Sequence, residues 1–538
     1  MCNTPEDLDL NGIDTVAIDI ETYDPNLKTK GSGAIRKDGF VCGIAVATEN
    51  DLAYFPLRHS DTDIDYQRID KIWQGLNDKI FQNENITKVF HNAMYDVCWI
   101  RAVTGKMIKG RIVDTMIAAS VIDENRFRYD LNGLSRDYLG KGKDEAALYE
   151  AAKSWGVDPK AEMYKLPAMY VGSYAERDAQ LTLELWQEFK KEIIHQDIED
   201  IFNMETKLFP VLVDMRYLGV RVDQEKAAIE KKRMVEEEKR LLGGVYAETG
   251  QEVQIWAARS IANVFDILRL EYPTTEKTGA PSFTKNFLQE HKHPVVNMIA
   301  QAREINKAHT TFIDSILRYE HNGRIHAEIN QLRNAGGGTV TGRFSYQNPN
   351  LQQIPARNKD LGPKIRSLFI PEEGHRWGVF DYSQQEPRLV VHYASLYKLP
   401  SVYDVVDSYS NDSGADFHQT VADMADIPRS QAKTINLGLF YGMGKAKLQA
   451  ELGVTKDKAA DLFNQYHAKV PFVKQLMEKA SNRAQDRGQI RTLLGRLCRF
   501  HLWEPNQFGM HKALPHEEAL REHGPGIRRA YTYKALNK

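Results

Sequence analysis

Cysteine is scarce in this sequence, with four residues in a chain of 538. The four, Cys2, Cys42, Cys98 and Cys498, lie far apart and form no C-x-x-C pair. Because disulfide frameworks and cysteine zinc sites need a matched set of cysteines, this distribution argues against both. Few, scattered cysteines are typical of a reducing compartment, so we expect a cytoplasmic protein.

The chain also lacks a long apolar run. No segment approaches the roughly 20 apolar residues that a membrane-spanning helix requires. The first ten residues, MCNTPEDLDL, are acidic and have no apolar core of the kind that a signal peptide contains. Internal repeats and long low-complexity tracts are not visible. These absences predict a protein without a membrane partner.

Charge of one sign is not in excess, since 71 Lys and Arg residues face 73 Asp and Glu residues. A net charge of −2 excludes a uniformly basic surface but leaves room for a local basic cleft. Apolar residues make up 42% and charged residues 27%, which is ordinary for a globular protein. At roughly 100–200 residues per domain, the length predicts about three or four domains.

Residues 13–195 alternate strand and helix patterns. The segments TVAIDIE and FVCGIAVA predict strands, and NAMYDVCWIRAVTG and SYAERDAQLTLELWQEFKKEI predict helices. Such alternation predicts an α/β layer.

Helical patterns dominate from about residue 200 onward. The segment DQEKAAIEKKRMVEEEKRLL predicts a long solvated helix, and EYPTTEKTGAPS predicts a loop. We expect a β-rich stretch over about 324–395 and helices from about 416 to 490. Residues 503–527 are rich in Pro, Gly and His and predict an irregular loop.

Two acids, Asp19 and Glu21, lie two positions apart in the segment AIDIET. On a strand both would project from one face, while Val16, Ile18 and Ile20 would face a core. Two carboxylates at the exposed end of a strand can bind a divalent cation, although so short a motif is weak on its own.

Later segments add further acids. FHNAMYDVCWI places Asp96 on a predicted amphipathic helix, and IVDTMIA places Asp114 at a strand end. In SYAERDAQL, Tyr174 and Asp178 stand at i and i+4 and so share one helical face. Taken separately, each of these residues is typical of an ordinary surface position.

Together these segments resemble the three motifs of the proofreading 3′–5′ exonuclease family, D-x-E, N-x-x-Y/F-D and Y-x-x-x-D, in order and spacing. The resemblance implies an α/β ribonuclease H-like domain. It also implies that Asp19, Glu21, Asp96 and Asp178 hold two divalent cations and that Tyr174 orients the attacking water. Two cations roughly 3.5–4 Å apart can generate a hydroxide and stabilise the leaving 3′ oxygen.

A second set of motifs begins with VFDYSQQEPR, residues 379–388, which predicts an apolar strand ending in Asp381. Residues 341–355, TGRFSYQNPNLQQIP, follow a run of glycines and predict an exposed loop. Its Arg343 could form a surface ion pair or contact duplex DNA. Minor-groove acceptors are nearly the same for all base pairs, so an arginine there would check geometry without reading sequence.

Residues 429–444, RSQAKTINLGLFYGMG, predict a helix up to Gly442. One stripe of that helix recurs every four residues and contains Arg429, Lys433, Leu437 and Tyr441. Two cations, an apolar residue and an aromatic residue suit the triphosphate, sugar and base of a nucleotide. A solvated helix with a half-buried end explains the stripe equally well.

These segments together resemble the family A DNA polymerases, the DNA polymerase I family, in its phage-encoded proofreading form. TGRFSYQNPNLQQIP is close to the TGR…PNLQ-IP signature, DYSQQEPR matches motif A, and RSQAKTINLGLFYG matches motif B. ETKLFPVLVDMRYLGVRVD, residues 205–223, resembles the segment that opens the polymerase half. The resemblance implies an α+β right hand with thumb, part of the palm, and fingers. It implies primer-template DNA and deoxynucleoside triphosphates as partners, in the host cytoplasm if the gene is a phage gene.

Carried over to motif A, the resemblance implies metal and DNA contacts. Asp381 would bind two divalent cations, Mg²⁺ or alternatively Mn²⁺, together with the carbonyl group of Tyr382. Glu386 would crowd the sugar 2′ position and exclude ribonucleotides. Arg343 and Asn350 would contact the DNA.

Carried over to motif B, the resemblance implies contacts to the nucleotide. Arg429 and Lys433 would grip the triphosphate, and Lys433 would be the acid for the pyrophosphate. His418, in DFHQ, would touch phosphates. Leu437 would lie at the sugar and Tyr441 near the templating base.

Two features depart from the family pattern. Gln385 and Pro387 stand where motif A usually has Ile and Leu, which predicts altered local packing with the reaction unchanged. Leu437 stands where an aromatic residue usually packs on the sugar, and we expect poor incorporation of dideoxynucleotides as a result.

Motif C, a strand reading like VHDE that supplies the second metal-binding carboxylate, is not found. The nearest string, LPHEEA at residues 514–519, lacks an apolar lead-in and reads as a loop with two surface acids. RRAYTYKALNK resembles the start of the helix that precedes motif C, with Asn537 in register. We therefore expect a chain truncated before motif C, with a C-terminal polymerase fragment as its partner.

The predicted domains are an exonuclease domain at 1–195, a helical thumb at 196–340, a palm with motif A at 341–415, fingers with motif B at 416–500, and an incomplete return to the palm at 501–538. The first functional hypothesis is a split proofreading polymerase that works as a two-chain assembly. The alternatives are a stand-alone 3′–5′ exonuclease with an inactive polymerase half, and a non-catalytic DNA-binding remnant.

Overall fold

The structure is a computed structural model that describes residues 4–61, 65–275, 278–334, 336–356, 358–412, 414–425, 427–440, 442–507, 509 and 511–537. The chain divides into two compact units. The first comprises Met1–Ala118, Arg128–Lys190 and Glu205–Trp377, and the second comprises Ala119–Phe127, Lys191–Met204 and Gly378–Lys538. The five predicted domains remain a prediction, because this division into units follows other boundaries.

The first unit begins with a mixed five-stranded sheet, as the alternating pattern predicts. Its strands are β1 (Thr15–Tyr23), β2 (Phe40–Ala47), β3 (Leu52–Pro56), β4 (Thr87–Phe90) and β5 (Ile112–Asp114). Their order is β3-β2-β1-β4-β5, so β1 lies at the centre. β1 pairs antiparallel with β2 and parallel with β4, and β4 pairs parallel with β5.

The faces of β1 are those that the alternation predicts. Val16, Ile18 and Ile20 are buried, while Asp19 and Glu21 are only partly covered. The ladder to β2 shifts register directly after Glu21, which stands opposite Gly43. At that glycine a Cβ atom would lie 1.9 Å from the Tyr54 hydroxyl, so any larger side chain would push the tyrosine out of place.

Helices cover this sheet because their apolar residues recur at helical spacing. They are α1 (Leu27–Lys30), α2 (Tyr66–Leu76), α3 (Ala93–Thr104), α4 (Thr115–Ile122), α5 (Leu131–Leu139), α6 (Ala146–Trp155) and α7 (Ala168–His195). The side chain of Asp130 caps α5 by accepting a hydrogen bond from the Gly133 amide, and Gly140 ends that helix in a left-handed conformation. The predicted helices α3 and α7 are confirmed.

The rest of the first unit is mainly helical. Its helices are α8 (Glu199–Leu218), α9 (Gln224–Thr249), α10 (Ala258–Ile267), α11 (Lys285–Glu290), α12 (Pro294–Lys307), α13 (Asp314–Tyr319) and α14 (Leu361–Arg366). Short strands lie between them, β6 (Val220–Arg221), β7 (Glu320–His321), β8 (Arg324–Ile325), β9 (Glu328–Asn330) and β10 (Ser345–Gln347). The long charged helix predicted near residue 224 is α9.

The second unit contains a helical core and, among the described residues, two small sheets. Its helices are α15 (Gln385–Leu396), α16 (Val402–Asn411), α17 (Phe417–Ala425), α18 (Arg429–Phe440), α19 (Lys445–Leu452), α20 (Lys456–Lys469), α21 (Pro471–Arg487) and α22 (His516–His523). Its strands are β11 (Gln489–Arg491), β12 (Leu497–Arg499), β13 (Leu502–Pro505), β14 (Leu514–Pro515) and β15 (Ile527–Arg529), and the two sheets have the orders β11-β12 and β14-β13-β15. The helices from 416 to 490 are therefore confirmed.

Two of the secondary-structure predictions are wrong. The expected β-rich stretch over 324–395 contains only β8 to β10, and its last part is helix α15, which buries Val390, Val391 and Ala394 on one face. Residues 503–527 are no loop, because β13, β14 and α22 lie there. Trp503 orders this region: its ring packs 4.6 Å from the ring of His516.

The expected strand ending in Asp381 is also absent. Residues 375–382 have no regular secondary structure, although the segment is rich in β-forming residues. Val379 is 89% exposed and Phe380 is 95% exposed. A strand needs a hydrogen-bonding neighbour as well as suitable side chains, and the described residues pair no strand with this segment.

Among the described residues, none of the helices combines the length and the apolar character that crossing a bilayer would require.

Candidate active sites

The first candidate site lies where β1 meets α7. β1 carries Asp19 and Glu21, and α7 carries Asp178 four residues after Tyr174. One potential ligand atom from each of the three acids lies within 4.8 Å of the other two. The predicted acids from the first and third exonuclease motifs are thus brought together by the fold.

The acidic cluster carries concentrated negative charge. Burial, followed by the nearby charge of Asp178, raises the pKa of Asp19 from 3.8 to about 7. Burial and the neighbouring carboxylates also raise the pKa of Glu21, and burial raises that of Asp178. Acids that repel one another in this way are stabilised by a bound cation.

The cluster fits divalent cations. The Oδ1 atom of Asp178 is buried and has no hydrogen-bond partner among the described residues, so it is available as a ligand. Carboxylate oxygens are the donors that Mg²⁺ and Mn²⁺ prefer. Asp19, Glu21 and Asp178 would hold the metal.

Asp96 lies beside this cluster but is not one of the three grouped acids. It is buried on α3, and its Oδ1 atom accepts a hydrogen bond of 3.2 Å from the Ile20 amide. Burial and then the charge of Asp19 raise its pKa. Asp96 is thus close enough to Asp19 to interact with it, and its role as a metal ligand stays a prediction.

Asp114 has a structural role at the start of α3. Its carboxylate accepts hydrogen bonds from the amides of Asn92 at 3.0 Å and Ala93 at 2.9 Å. The prediction that Asp114 lies at a strand end is confirmed, since it is the last residue of β5. By fixing the first turn of α3, it fixes the helix that carries Asp96.

Two lysines at the site were not anticipated from the sequence. The Lys143 ammonium donates hydrogen bonds to Asp178 and, at 3.1 Å, to the Tyr174 hydroxyl. The Lys160 ammonium donates to the same hydroxyl at 2.8 Å. Both lysines lie in polar segments far along the chain from the acids, and no sequence motif links them to the site.

The second candidate site involves α18, which presents the predicted motif B side chains. Arg429 and Lys433 are exposed and Leu437 is partly buried. The Arg429 Nε atom donates to Asp416 at 2.5 Å. Tyr441, predicted to lie near the templating base, lies outside the described residues.

His418 lies among the motif B cations. Its Nδ1 atom accepts a hydrogen bond of 2.9 Å from the side-chain amide of Asn436. Burial lowers its pKa, the charge of Asp416 opposes that shift, and Arg429, Lys433 and Glu386 exert smaller effects. The fold therefore places four predicted nucleotide-contacting residues in one electrostatic neighbourhood, namely Glu386, His418, Arg429 and Lys433.

Asp381 and Tyr382, the predicted metal-binding residues of motif A, lie on the surface. Both side chains are exposed, in the segment that forms no strand. In the part of the chain that the structure describes, Asp381 belongs to no group of three potential metal ligands. The expectation that a buried strand delivers this carboxylate is therefore wrong for the structure as it stands.

The two predicted DNA contacts lie on either side of β10. Arg343 is exposed, and its carbonyl oxygen accepts a hydrogen bond from the Thr339 hydroxyl at 2.6 Å. The side chain of Asn350 accepts a bond from the Gln352 amide at 3.1 Å and so caps a short helical turn. Contact with DNA stays a prediction for both.

A carboxylate cluster in the α/β part of the first unit and an exposed cationic helix in the second, smaller unit are features typical of enzymes that act on phosphodiesters and nucleotides. Residues 6–194 match the family described as 3′-5′ exonuclease. Residues 224–521, more than half of the chain, match DNA polymerase family A. The chain belongs to DNA polymerase family A and carries a 3′–5′ exonuclease domain.

Similar proteins include phage and bacterial polymerases. A DNA-directed DNA polymerase of Pseudomonas phage M6 is 34% identical over 91% of this chain and 81% of its own. DNA polymerase DpoZ of Vibrio phage phiVC8 is 29% identical, with 93% and 84% covered. DNA polymerase I of Pseudomonas aeruginosa is 30% identical over 85% of this chain and 50% of its own.

A solved structure shares the fold. It is the POL domain of Pol1 from M. smegmatis in complex with DNA primer-template and dNTP, with a TM-score of 0.71. The sequence identity is 21%, and 97% of this chain and 81% of that chain are covered. The predicted family, the order of exonuclease and polymerase folds, and the enzyme class are confirmed. The truncation before motif C stays a prediction.

Proposed function

We propose that this polymerase removes nucleotides from DNA 3′ ends at the cluster of Asp19, Glu21 and Asp178. The observation that supports this proposal most strongly is their approach within 4.8 Å, together with the buried Oδ1 atom of Asp178, which has no hydrogen-bond partner among the described residues. Like charges so close together are costly unless a cation is bound. DNA is the substrate because the chain belongs to a DNA polymerase family.

The chemistry assigns different tasks to the side chains. Two bound divalent cations, Mg²⁺ or Mn²⁺, would activate the attacking water and stabilise the leaving 3′ oxygen. Asp19, Glu21 and Asp178 hold the cations, and Asp96 completes the set from α3. Tyr174, whose hydroxyl is fixed by two lysines, orients the water.

The test is degradation of single-stranded DNA from its 3′ end. Replacing Asp19 and Glu21 together by alanine should abolish it, because two of the three clustered ligands are lost. Asp70→Ala, which changes an exposed acid of α2, is the matched control and should retain activity. Persistent degradation by the double variant would place the nuclease site elsewhere.

We propose further that α18 binds the incoming deoxynucleoside triphosphate opposite primer-template DNA. Arg429, Lys433 and His418 contact the phosphates, and Lys433 protonates the pyrophosphate. Leu437 lies at the sugar, Glu386 excludes a 2′ hydroxyl, and Tyr441 lies near the templating base. The exposure of both cations and their proximity to His418 support this arrangement.

In the same proposal Asp381 binds the catalytic cations with the Tyr382 carbonyl, and Arg343 and Asn350 contact the DNA. Fixed negative charge from one carboxylate is too little to hold two cations. We therefore propose that synthesis requires a C-terminal polymerase segment that supplies motif C. The exposed apolar side chains of Val379 and Phe380 support this, since a further strand beside them would bury both.

Primer extension by the purified chain tests this requirement. Extension should be absent with the chain alone and should appear when a fragment carrying motif C is added. Robust synthesis by the chain alone would falsify the requirement. A chain that degrades DNA but never synthesises it, even with the fragment, would favour the stand-alone exonuclease. The phage relatives make the cytoplasm of a bacterial host the proposed location.

A further inference from the structure

Lys143 is built into the carboxylate cluster of the exonuclease domain. It lies between α5 and α6, and its side chain is 16% exposed. Its ammonium group forms an ion pair with Asp178, whose side chain is 4% exposed. It also donates to the Tyr174 hydroxyl at 3.1 Å. A lysine on the surface would not be expected to direct its charge into a buried acidic site.

The Lys143 side chain is protonated and positively charged in this position. Burial alone would lower its pKa, but the charge and hydrogen bond of Asp178, followed by Asp19 and Glu21, outweigh that effect and raise it. All three clustered acids therefore interact with this ammonium group. Together with the more distant charge of Lys160, it supplies the positive charge that the acids need when no cation is bound.

A second lysine holds the neighbouring tyrosine. The Lys160 ammonium donates to the Tyr174 hydroxyl at 2.8 Å and lies 4.0 Å from the centroid of its ring. Glu145 holds Lys160 in turn, at 2.8 Å. Tyr174 therefore keeps a fixed hydroxyl even if Lys143 moves away.

We propose that Lys143 is an internal counterion that occupies the exonuclease site in the absence of divalent metal and competes with the metal for Asp178. This inference rests on the proposed metal site of the exonuclease. A cation held by Asp178 would repel the ammonium from the Oδ2 atom of the same carboxylate, so Lys143 would be displaced while Lys160 keeps Tyr174 in place. The lysine thus stabilises the metal-free domain and sets the metal concentration at which the nuclease becomes active.

Metal binding without DNA is the primary test. Free Mn²⁺ is measured by electron paramagnetic resonance during titration of the whole chain, after removal of metal with a chelator. Lys143→Met keeps an unbranched side chain but removes the charge, so the variant should bind Mn²⁺ about tenfold more tightly, as expected for loss of a nearby competing charge. Unchanged or weaker Mn²⁺ binding would overturn the proposal.

Two further variants separate charge from packing. Lys141→Met changes the lysine two positions earlier, which pairs with Glu184 at 2.8 Å on the surface, and its Mn²⁺ affinity should equal that of the wild type. Lys143→Arg keeps the charge and should bind Mn²⁺ within about threefold of the wild type. The arginine variant also provides a Mn²⁺ affinity to compare with the wild type if the methionine variant does not fold. A tenfold gain in the arginine variant would contradict the charge mechanism.

Thermal unfolding supplies a second readout. In chelator, Lys143→Met should unfold at a lower temperature than Lys141→Met, and saturating Mn²⁺ should remove the difference. A deficit that persists at saturating Mn²⁺ would identify Lys143 as a packing residue and overturn the proposal.

The double alanine variant of Asp19 and Glu21 distinguishes a failure of the proposed metal site from a failure of the proposed role of Lys143. If it binds Mn²⁺ as well as the wild type does, the proposed metal site itself is wrong, and the role of Lys143 is wrong with it. If it loses Mn²⁺ while Lys143→Met leaves the affinity unchanged, only the role of Lys143 is wrong.

Discussion

At the scale of single residues, the exonuclease site is governed by charge. Burial raises the pKa of all three acids, and the neighbouring carboxylates, within 4.8 Å, raise the pKa of Asp19 and Glu21 further. Lys143 offsets part of that repulsion. The packing of the surrounding fold therefore offsets the unfavourable free energy of bringing the acids together. Single substitutions of these acids should change the free energy of unfolding.

Asp19→Asn should stabilise the metal-free protein at neutral and higher pH. The folded-state pKa of Asp19, about 7, lies above its ordinary value of 3.8. A raised pKa means that stability is retained below pH 4 and is lost as the pH rises through 7. One pKa unit corresponds to about 1.4 kcal/mol, so the gain should be at most about 1.7 kcal/mol at pH 5 and at most about 4.5 kcal/mol at pH 8.

Chemical denaturation in chelator, at several pH values, measures this gain. Asp70→Asn, which changes an exposed acid, is the control and should follow the wild type at every pH. A stability difference for Asp19→Asn that is independent of pH would show that the carboxylate is not destabilised in the folded protein.

Leu437→Tyr should increase the use of dideoxynucleotides. Leu437 is partly buried on α18, and an aromatic ring there could pack on a sugar without help from a 3′ hydroxyl. We expect about a tenfold or larger gain in incorporation relative to normal nucleotides, measured in extension reactions that include the fragment with motif C. Normal nucleotides are the internal control, and unchanged chain termination would remove the proposed sugar contact.

At the scale of single elements, hydrogen bonds at a helix end fix the position of a predicted site residue. α3 begins at Ala93, and the carboxylate of Asp114 accepts hydrogen bonds from the amides of Asn92, Ala93 and Met116. The strand end that carries Asp114 therefore fixes the helix that carries Asp96. This link joins β5 to α3 through one side-chain carboxylate and the backbone amides that donate to it.

Asp114→Ala should destabilise the protein by about 2–3 kcal/mol, because buried amides lose their acceptor. The exonuclease rate should fall as well, since α3 carries Asp96. Asp130→Ala, which removes the single amide contact at the start of α5, should cost about 1 kcal/mol and spare the rate. Urea denaturation and 3′ end degradation measure the two effects, and equal losses in both variants would contradict the link.

At the scale of the whole molecule, the second unit contains segments that are distant in sequence. Residues 119–127 and 191–204 belong to it together with 378–538. The Arg499 guanidinium donates to Glu124 at 2.6 Å, with side-chain exposures of 15% and 6%. It also donates to the side chain of Gln196. Within the second unit, Arg499 of β12 therefore holds the segments around Glu124 and Gln196, the first through a nearly buried ion pair and the second through a hydrogen bond.

Arg499→Met should destabilise the second unit by about 3–5 kcal/mol, because it leaves the Glu124 carboxylate buried without its partner. Arg528→Met breaks a half-exposed pair with Glu504 and should cost less than about 1 kcal/mol. Hydrogen exchange of α20 and α21 measures the change in this unit. Similar protection in both variants would mean that the buried pair does not hold the unit together.

The sequence was sufficient to predict secondary structure where apolar residues recur with a clear strand or helix period. The alternation in β1 predicted its two faces, and helical spacing predicted α3, α7, α9 and α18. It failed at residues 385–396, where β-forming residues such as Val390 and Val391 concealed α15, and at residues 503–527, where turn-forming residues concealed the sheet around Trp503. There the contacts that decide the structure come from residues far away in the chain.

The sequence by itself determined the family and the order of the two folds, and it singled out the three acids that cluster, because motifs depend on residue type and spacing. Tertiary structure alone decided that Lys143 and Lys160 meet Tyr174 and Asp178, and that Arg499 pairs with Glu124. It also decided that the segment before Asp381 is exposed and unpaired. Long-range charge pairs and strand partners depend on how distant segments pack, and local residue patterns do not encode that packing.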